Sequence, residues 1–477
     1  MSRSSGSSTD VVRAVLAPQE IVERVLAGSG PGVAGRVVVV SETSEAALRW
    51  ANSTMTTNGH TTSRRVSVIS LVTVDGGTAA GVVSSSVAVT DPAQLDELVA
   101  ASERAARDAG PARDAASLPE PGADDPAWTD PAAETSIEVF GELAHGLSDV
   151  LGGTLRQYGF ASHSLTTVWL GTSAGVRRRW VQPTGSVELN VKTPDLSGSA
   201  WAGAATRDFT DVDVVALAAD AGRRLDWGKR RVELAPGRYE TLLPPSAVSD
   251  LMVYLAWSME GRAAQEGHNA LAGPNGPRVG ERLTDLPLTL FSDPAAPGLE
   301  YEPFLVTTSS GDGISVFDNG APMRRVDWVR DGTINELVYS RAEASEFGTT
   351  FTPAGDNLLL TGGPSGSAAT VDEMVGGTEH GLLLTCLWYI REVNPATLLL
   401  TGLTRDGVYL VEHGEVVAEV DHNFRFNYSP LDVLRRTTQV GATEHTLPRE
   451  WKDWFTRAAM PTLRVPDFNM SSVSLGR

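Results

Sequence analysis

Apolar residues along the chain switch between helical and strand periods, and the switches mark out three segments. In the first, 11–110, Ile21, Val22, Val25 and Leu26 form a helical stripe, and 37–40 is a short apolar run suited to a buried strand. Residues 45–50 read as a short helix. Stretches 66–74 and 82–89 are rich in β-branched residues and flank Asp75-Gly76-Gly77, which predicts an antiparallel pair. Asp91 followed by Pro92 is a helix N-cap with proline at the first helical position, and Gly110-Pro111 supplies the stop.

From 111 to 131 the composition shifts to Pro, Ala, Gly and Asp and no apolar period survives, so this stretch reads as a linker. In the central segment, 132–231, Ile137, Phe140, Leu143, Ala144, Leu147 and Leu151 recur at helical spacing. Strands are predicted at 166–170 and 187–191, and a closing helix at 212–225. The third segment, 232–477, is a series of short β-rich runs. Asp331-Gly332 and Asp406-Gly407 each lie between two such runs, and His413-Gly414 precedes another at 415–420, so hairpins are expected at all three. A helix carries Val248, Leu251, Met252, Leu255 and Met259 on one face, with Gly261 as its stop. The expected fold class is α+β: an N-terminal α/β segment, a mixed centre, and a C-terminal domain dominated by a curved antiparallel β-sheet. No internal repeat is visible.

Composition narrows the functions. A formal charge of −20 with three lysines, Lys192, Lys229 and Lys452, argues against a nucleic-acid footprint. An apolar content of 41% is that of a folded globular chain. The apolar stretch 382–390, interrupted by Thr385, is far short of the roughly 18 to 20 residues a membrane helix needs. Residues 1–10 are Ser-rich without an apolar core, which reads as a disordered tail rather than a secretory signal. One cysteine, Cys386, permits no internal disulfide and fits a reducing cytoplasm.

Several motifs tempt. Gly30 to Gly35 match G-x-G-x-x-G but precede a strand, the reverse of a dinucleotide site, so a connecting loop is favoured. Gly171 to Gly175 match the G-x-S-x-G nucleophile elbow around Ser173, but an extended stretch follows where a helix is required, favouring a serine in a hairpin turn. The eight histidines never fall three to five residues apart, so no zinc-binding helix motif can be written. His413 and His422 read as exposed turn histidines. His380 and Cys386, six apart, cannot share a metal on an extended stretch, and Cys386 reads as a small core residue. Arg177-Arg178-Arg179 reads as a solvated charge run.

The C-terminal third carries long ordered signatures. Phe317-Asp318-Asn319-Gly320-Ala321-Pro322-Met323-Arg324-Arg325 leads to Val329-Arg330-Asp331-Gly332. Gly381-Leu382-Leu383-Leu384-Thr385, Trp388-Tyr389-Ile390-Arg391-Glu392 and Thr401-Gly402-Leu403-Thr404-Arg405-Asp406-Gly407 follow. Asn423-Phe424-Arg425-Phe426-Asn427, Ser429-Pro430-Leu431 and Pro461-Thr462-Leu463-Arg464-Val465 complete the set. Together they resemble the TldD/PmbA family, over most of the chain and most strongly after Leu242.

That resemblance implies a cytoplasmic metallopeptidase assembled from a catalytic TldD-like and a TldE (PmbA)-like subunit, acting on unfolded or small peptides. The catalytic half binds zinc through an H-E-x-x-x-H helix and a late cysteine. This chain departs from it at both places: 246–260 contains no histidine and 449–464 no cysteine. The resemblance therefore points to the TldE half, with no catalytic residue and no metal or cofactor in this chain and zinc in the TldD-like partner. Tyr389, Arg391, Glu392 and Arg405 are candidates for polar contacts to peptide or partner, and each reads equally as a structural ion pair or sheet-surface residue. Two rival readings are a peptide-binding scaffold without proteolysis and a serine hydrolase built on Ser173.

Overall fold

The computed structural model describes residues 15–28, 30–123, 125–311, 313–362, 369–420 and 423–474. The Ser-rich tail, the start of the first segment and His422 lie outside them.

A six-stranded antiparallel sheet joins the first two segments. Its strands are β1 (Val33–Ala51), β2 (Thr54–Val74), β3 (Gly77–Ser85), β4 (Arg156–Thr172), β5 (Arg177–Lys192) and β6 (Ser199–Thr206), in the order β3-β2-β1-β4-β5-β6. Residues 45–50, expected as a helix, lie instead in β1. Their Ala, Leu and Glu favour a helix in isolation, but Ala46, Leu48 and Trp50 alternate inward and every residue pairs with both β2 and β4. Two-sided pairing overrides the local propensity.

Alternation gives the sheet two different faces. On one, Val38 and Val40 pack against α1 (Pro18–Ala27) and α2 (Pro92–Ala109). Further along the same face, Ala46, Leu48 and Trp50 pack against α3 (Gly141–Leu151) and α4 (Val214–Trp227). Asp91 caps α2 as expected, its side chain accepting the Ala93 N–H while Gln94 reaches back. On the other face Val37, Val39, Val168 and Leu170 meet Phe304, Val316 and Phe317 of the third segment.

That third segment folds as a branched, mostly antiparallel sheet of fourteen strands among the described residues. Those used below are β7 (Gly237–Leu243), β8 (His380–Leu384), β9 (Trp388–Asn394), β10 (Leu399–Leu403), β11 (Val408–Glu412), β12 (Glu415–Val420), β13 (Asn423–Tyr428) and β14 (Ala458–Ser474). The buried helix α5 (Pro245–Trp257) packs against β14. It ends at Trp257, not at Gly261. Met259 lies beyond it, and Gly261 instead opens the short helix α6 (Gly261–Gln265), where its lack of a side chain admits the Tyr339 ring.

Two of the three expected hairpins form, and both place consecutive residues at positive φ: Asp331 at 47° with Gly332 at 78°, and His413 at 52° with Gly414 at 81°. Asp406-Gly407 makes no hairpin, because β10 pairs with β9 and β13 whereas β11 pairs with β8 and β12. Gly407 is small for another reason: a Cβ there would sit 2.4 Å from that of Cys386.

The closest approach of a helix to the first sheet is α2 on β3, where a Cβ at Gly81 would lie 2.2 Å from both Ala106 N and Ser102 O. Backbone cannot yield as a flexible side chain does. Gly81→Val should therefore lower stability by about 2 to 3 kcal/mol in urea unfolding, whereas Gly59→Ala, with nothing within 4 Å of the new methyl, should not. Equal midpoints for the two variants would contradict this packing.

Candidate functional site

Strand β9 pairs only with β10, so no second strand lies along its outer edge among the described residues. It is also irregular. Tyr389 takes the left-handed region at φ 54°, and the register slips between Trp388 and Arg391. A bulky residue there costs energy unless something holds it. The Glu450 carboxylate does, accepting the Tyr389 N–H at 3.0 Å and the Ile390 N–H at 3.2 Å.

Glu450 is held in turn from α5. Asp250 is fully buried, and its Oδ1 accepts the N–H groups of Glu450 at 3.0 Å and Trp451 at 3.4 Å. One turn on, the Tyr254 hydroxyl donates to the Ile390 carbonyl at 3.0 Å. The rings of Tyr254, Trp257 and Trp451 pack edge to face around this junction. Desolvation, partly offset by the amides it accepts, pushes the Asp250 carboxyl well above the usual carboxylate range.

Three of the four residues singled out from the sequence, Tyr389, Arg391 and Arg405, border the 449–452 segment. Arg391 lies over the Tyr389 ring at 4.3 Å and within 3.7 Å of Glu450 Oε1. Glu392 is exposed and lines a concavity of about 500 Å³ with Tyr254, Trp257 and Arg262. Arg405 is on the opposite side of the segment. Also at positive φ, it lies over Trp388 at 5.1 Å, and its N–H donates to Asn423 Oδ1 at 2.6 Å. It borders a separate concavity of about 480 Å³ with Glu188, Trp201 and Lys452.

Against Arg449, which lines the second concavity, lies Cys386, buried as the sequence implied. Burial pushes its thiol up to about 12 despite the neighbouring Arg449. Arg449 donates to the Cys386 sulfur and to Asp406, and lies over both Trp201 and Trp388. This chemistry does not fit a zinc ion. Ligands must be deprotonated to bind, yet the thiol and the Asp250 carboxyl both favour their protonated forms and a guanidinium caps the sulfur.

The other motifs fall where their geometry sends them. Ser173 lies in the tight turn between β4 and β5, and its Oγ accepts the Arg36 N–H at 2.9 Å, so it closes a turn. His413 is an exposed turn residue paired with Glu379. The arginine run is not a solvated face: Arg177 pairs with Glu23, Arg178 donates to Ala123 O, and Arg179 lies over Trp169 and donates to Pro131 O. The linker folds back over β5 and gives these cations carbonyls to bind.

A large cleft escaped the sequence. About 970 Å³ in volume, it lies where β5 meets the third segment and is lined by Trp180, Val181, Gln182, Arg207, Phe304 and Arg457 among others. Gln182 donates to Glu300 O, Arg207 pairs with Glu300, and Arg457 reaches Thr184 Oγ1, so polar contacts cross this seam. One signal was available: Pro183, within a strand, marks an uncovered edge.

Residues 126–228 match the model for the PmbA/TldA metallopeptidase central domain, and 236–472 that for its C-terminal domain. The chain belongs to the PmbA/TldD family. Its fold is that of TldE from Thermococcus kodakarensis, at TM-score 0.75 and 16% identity over 94% of this chain and 99% of that one. A candidate modulator of a DNA gyrase from Thermotoga maritima is similar at TM-score 0.74 and 16% identity, over 94% of this chain and 99% of that one. A third such structure, from Bacteroides thetaiotaomicron, matches at TM-score 0.74 and 14% identity, over 95% and 98%. No curated protein matches the sequence. Within the PmbA/TldD fold, α5 and the 449–451 segment meet here through hydrogen bonds to Asp250. No helix among the described residues is long and apolar enough to cross a membrane.

The Asp250 carboxyl makes stability depend on pH. A raised folded-state pKa means the native chain holds a proton that the unfolded chain releases, so stability falls as pH rises from the usual carboxylate range toward the folded value, then levels. Asp250→Asn, which cannot ionise, should gain on wild type as pH rises. Asp250→Ala strands two amides and should lose about 2 to 3 kcal/mol at acid pH, a deficit that narrows as pH rises because the wild type alone ionises. Urea midpoints from acid to neutral pH check both, and parallel wild-type and Asn curves would refute the assignment.

Proposed function

We propose that this chain is the TldE-like subunit of a cytoplasmic, heteromeric zinc metallopeptidase that processes unfolded or small peptides. It shapes the peptide chamber and leaves hydrolysis to a TldD-like partner. The observation that carries the reading is the junction at Asp250. The helix and tail segment that would hold the metal in the catalytic half are joined here by amide hydrogen bonds, and the side chains around them do not suit a cation. Zinc, when bound in the partner, supplies the Lewis acid and the activated water.

Family membership and the fold shared with TldE support a paired role. Past Ile390, whose amide and carbonyl are engaged, the edge of β9 offers backbone, and the exposed Tyr389, Arg391 and Glu392, with Arg405 beyond, offer polar side chains to a partner or a peptide. Main-chain hydrogen bonds give affinity with little sequence preference, which suits a broad peptide processor.

Co-expression tests the reading. The TldD-like chain of the same genome should co-purify and carry the zinc, at about one equivalent, and cleavage of an unfolded peptide should require both chains. A chelator should abolish that cleavage and leave the melting of the isolated chain unchanged. Chelator-sensitive digestion by this chain alone would refute it.

A further inference from the structure

Strand β5 is half uncovered. It pairs with β4 from Arg177 to Lys192, but with β6 only from Gly185 to Lys192. The remaining edge, 177–184, has no strand beside it among the described residues, and 178–184 forms a wall of the 970 Å³ cleft.

Neighbouring hydrogen bonds show which backbone groups face outward. In an antiparallel ladder the N–H and C=O of one residue point to the same side, and successive residues alternate. The Arg179 N–H donates away from β4, to Asp125 Oδ2 at 2.9 Å. The Pro183 C=O likewise accepts from Gln182 Nε2 at 3.1 Å. Val181, midway between them, therefore turns both its N–H and its C=O toward the cleft. The flanking positions are blunted, by a carboxylate on one amide and by a proline that has none. Val181 is left as a donor and acceptor pair, the unit an added strand requires.

We propose that this cleft binds an extended, unfolded peptide segment as an added strand along β5, hydrogen-bonded to the main chain of Val181. The walls select the occupant. Phe304 and Pro322 of the third segment flank the edge on one side, and Arg207 and Asp211 lie beyond the end of β6. With the linker residues Pro121 and Asp125 lining the same cleft, the enclosure suits a single extended chain better than the edge of a folded sheet. The Arg207–Glu300 ion pair and Phe304 all line the cleft, so side chains of either charge or none find a neighbour. Recognition by backbone in a mixed surround suits peptides defined by being unfolded. The proposal rests on the peptide-handling reading above and locates it on the first sheet, away from β9.

The test removes one atom pair. Val181→Pro deletes the outward N–H and leaves the β4 ladder intact, because that N–H does not enter it. Pro183 already occupies the same orientation two residues on. Binding of a fluorescein-labelled peptide of roughly ten Ala, Val, Thr and Ser residues to the full-length chain, read by anisotropy, should weaken about tenfold or more. The melting curve of the variant should stay unchanged. As a second arm that needs no variant, the same peptide N-methylated at alternate amides should lose binding to wild type. Unaltered binding in either arm, or no binding of the parent peptide, overturns the proposal.

The paired enzyme separates the two readings. Cleavage that needs both chains but proceeds with unchanged KM in Val181→Pro overturns the cleft and leaves the subunit role standing. Peptide binding that depends on Val181 without any associating partner establishes the cleft and removes the subunit role.

Discussion

Hydrogen bonds from two amides to one buried oxygen of Asp250 hold α5 against the 449–451 segment, and the surface strand β9 hangs from that segment. The order of dependence is one-way. Asp250 fixes Glu450, and Glu450 fixes the left-handed bulge at Tyr389 by taking two consecutive amides. Tyr254, one turn further along α5, pins the carbonyl beside them. A strained residue on an edge strand is thereby tied to the interior by polar bonds to its backbone, beside the buried Ile390, which allows its own side chain to stay exposed. The Asp250 carboxyl remains the least soluble part of the arrangement, since its second oxygen has no partner among the described residues. Protonation is the physical response to such burial.

The six-stranded sheet gives the molecule its second constraint. One face is sealed by four helices, while the other meets the third segment through the apolar cluster at Phe304, Val316 and Phe317 and then opens into polar contacts. The change follows the register of β5. Val187, Leu189 and Val191 point toward the helices, whereas Gln182, Thr184 and Glu188 reach the third segment. Clefts form at this seam because polar side chains meet there through a few directed bonds, leaving volume that close apolar packing would have removed.

What could be read from the sequence divides along the same line. Local backbone chemistry was legible: the cap at Asp91, the hairpins at Asp331-Gly332 and His413-Gly414, and the turn holding Ser173 all follow from residues within a few positions of each other. Features decided by distant chain were not. Residues 45–50 became strand because β2 and β4 pair with them, and Gly407 is small because Cys386 lies against it. The arginine run is engaged because the linker returns over it. Three of the four candidate residues, Tyr389, Arg391 and Arg405, do gather around one segment, but Asp250 and Glu450, to which two of them are bonded, carried no motif. Val181 carried none either, since an open backbone edge has no side-chain signature.

The departures from the zinc-binding pattern have a structural counterpart. A metal ion shared by a helix and a tail segment is also a cross-link, and a chain that lacks its ligands must join those elements otherwise. Hydrogen bonds to a neutral acid can do so, because the protonated carboxyl still offers a carbonyl oxygen to two amides and needs no counter-ion. Arg449, in the segment that Asp250 holds, turns its guanidinium instead to Cys386, Asp406 and two indole rings. The raised Asp250 carboxyl and the occupied Arg449 are thus two parts of one arrangement: burial disfavours an anion at the first, and the second keeps its positive charge on Cys386 and Asp406.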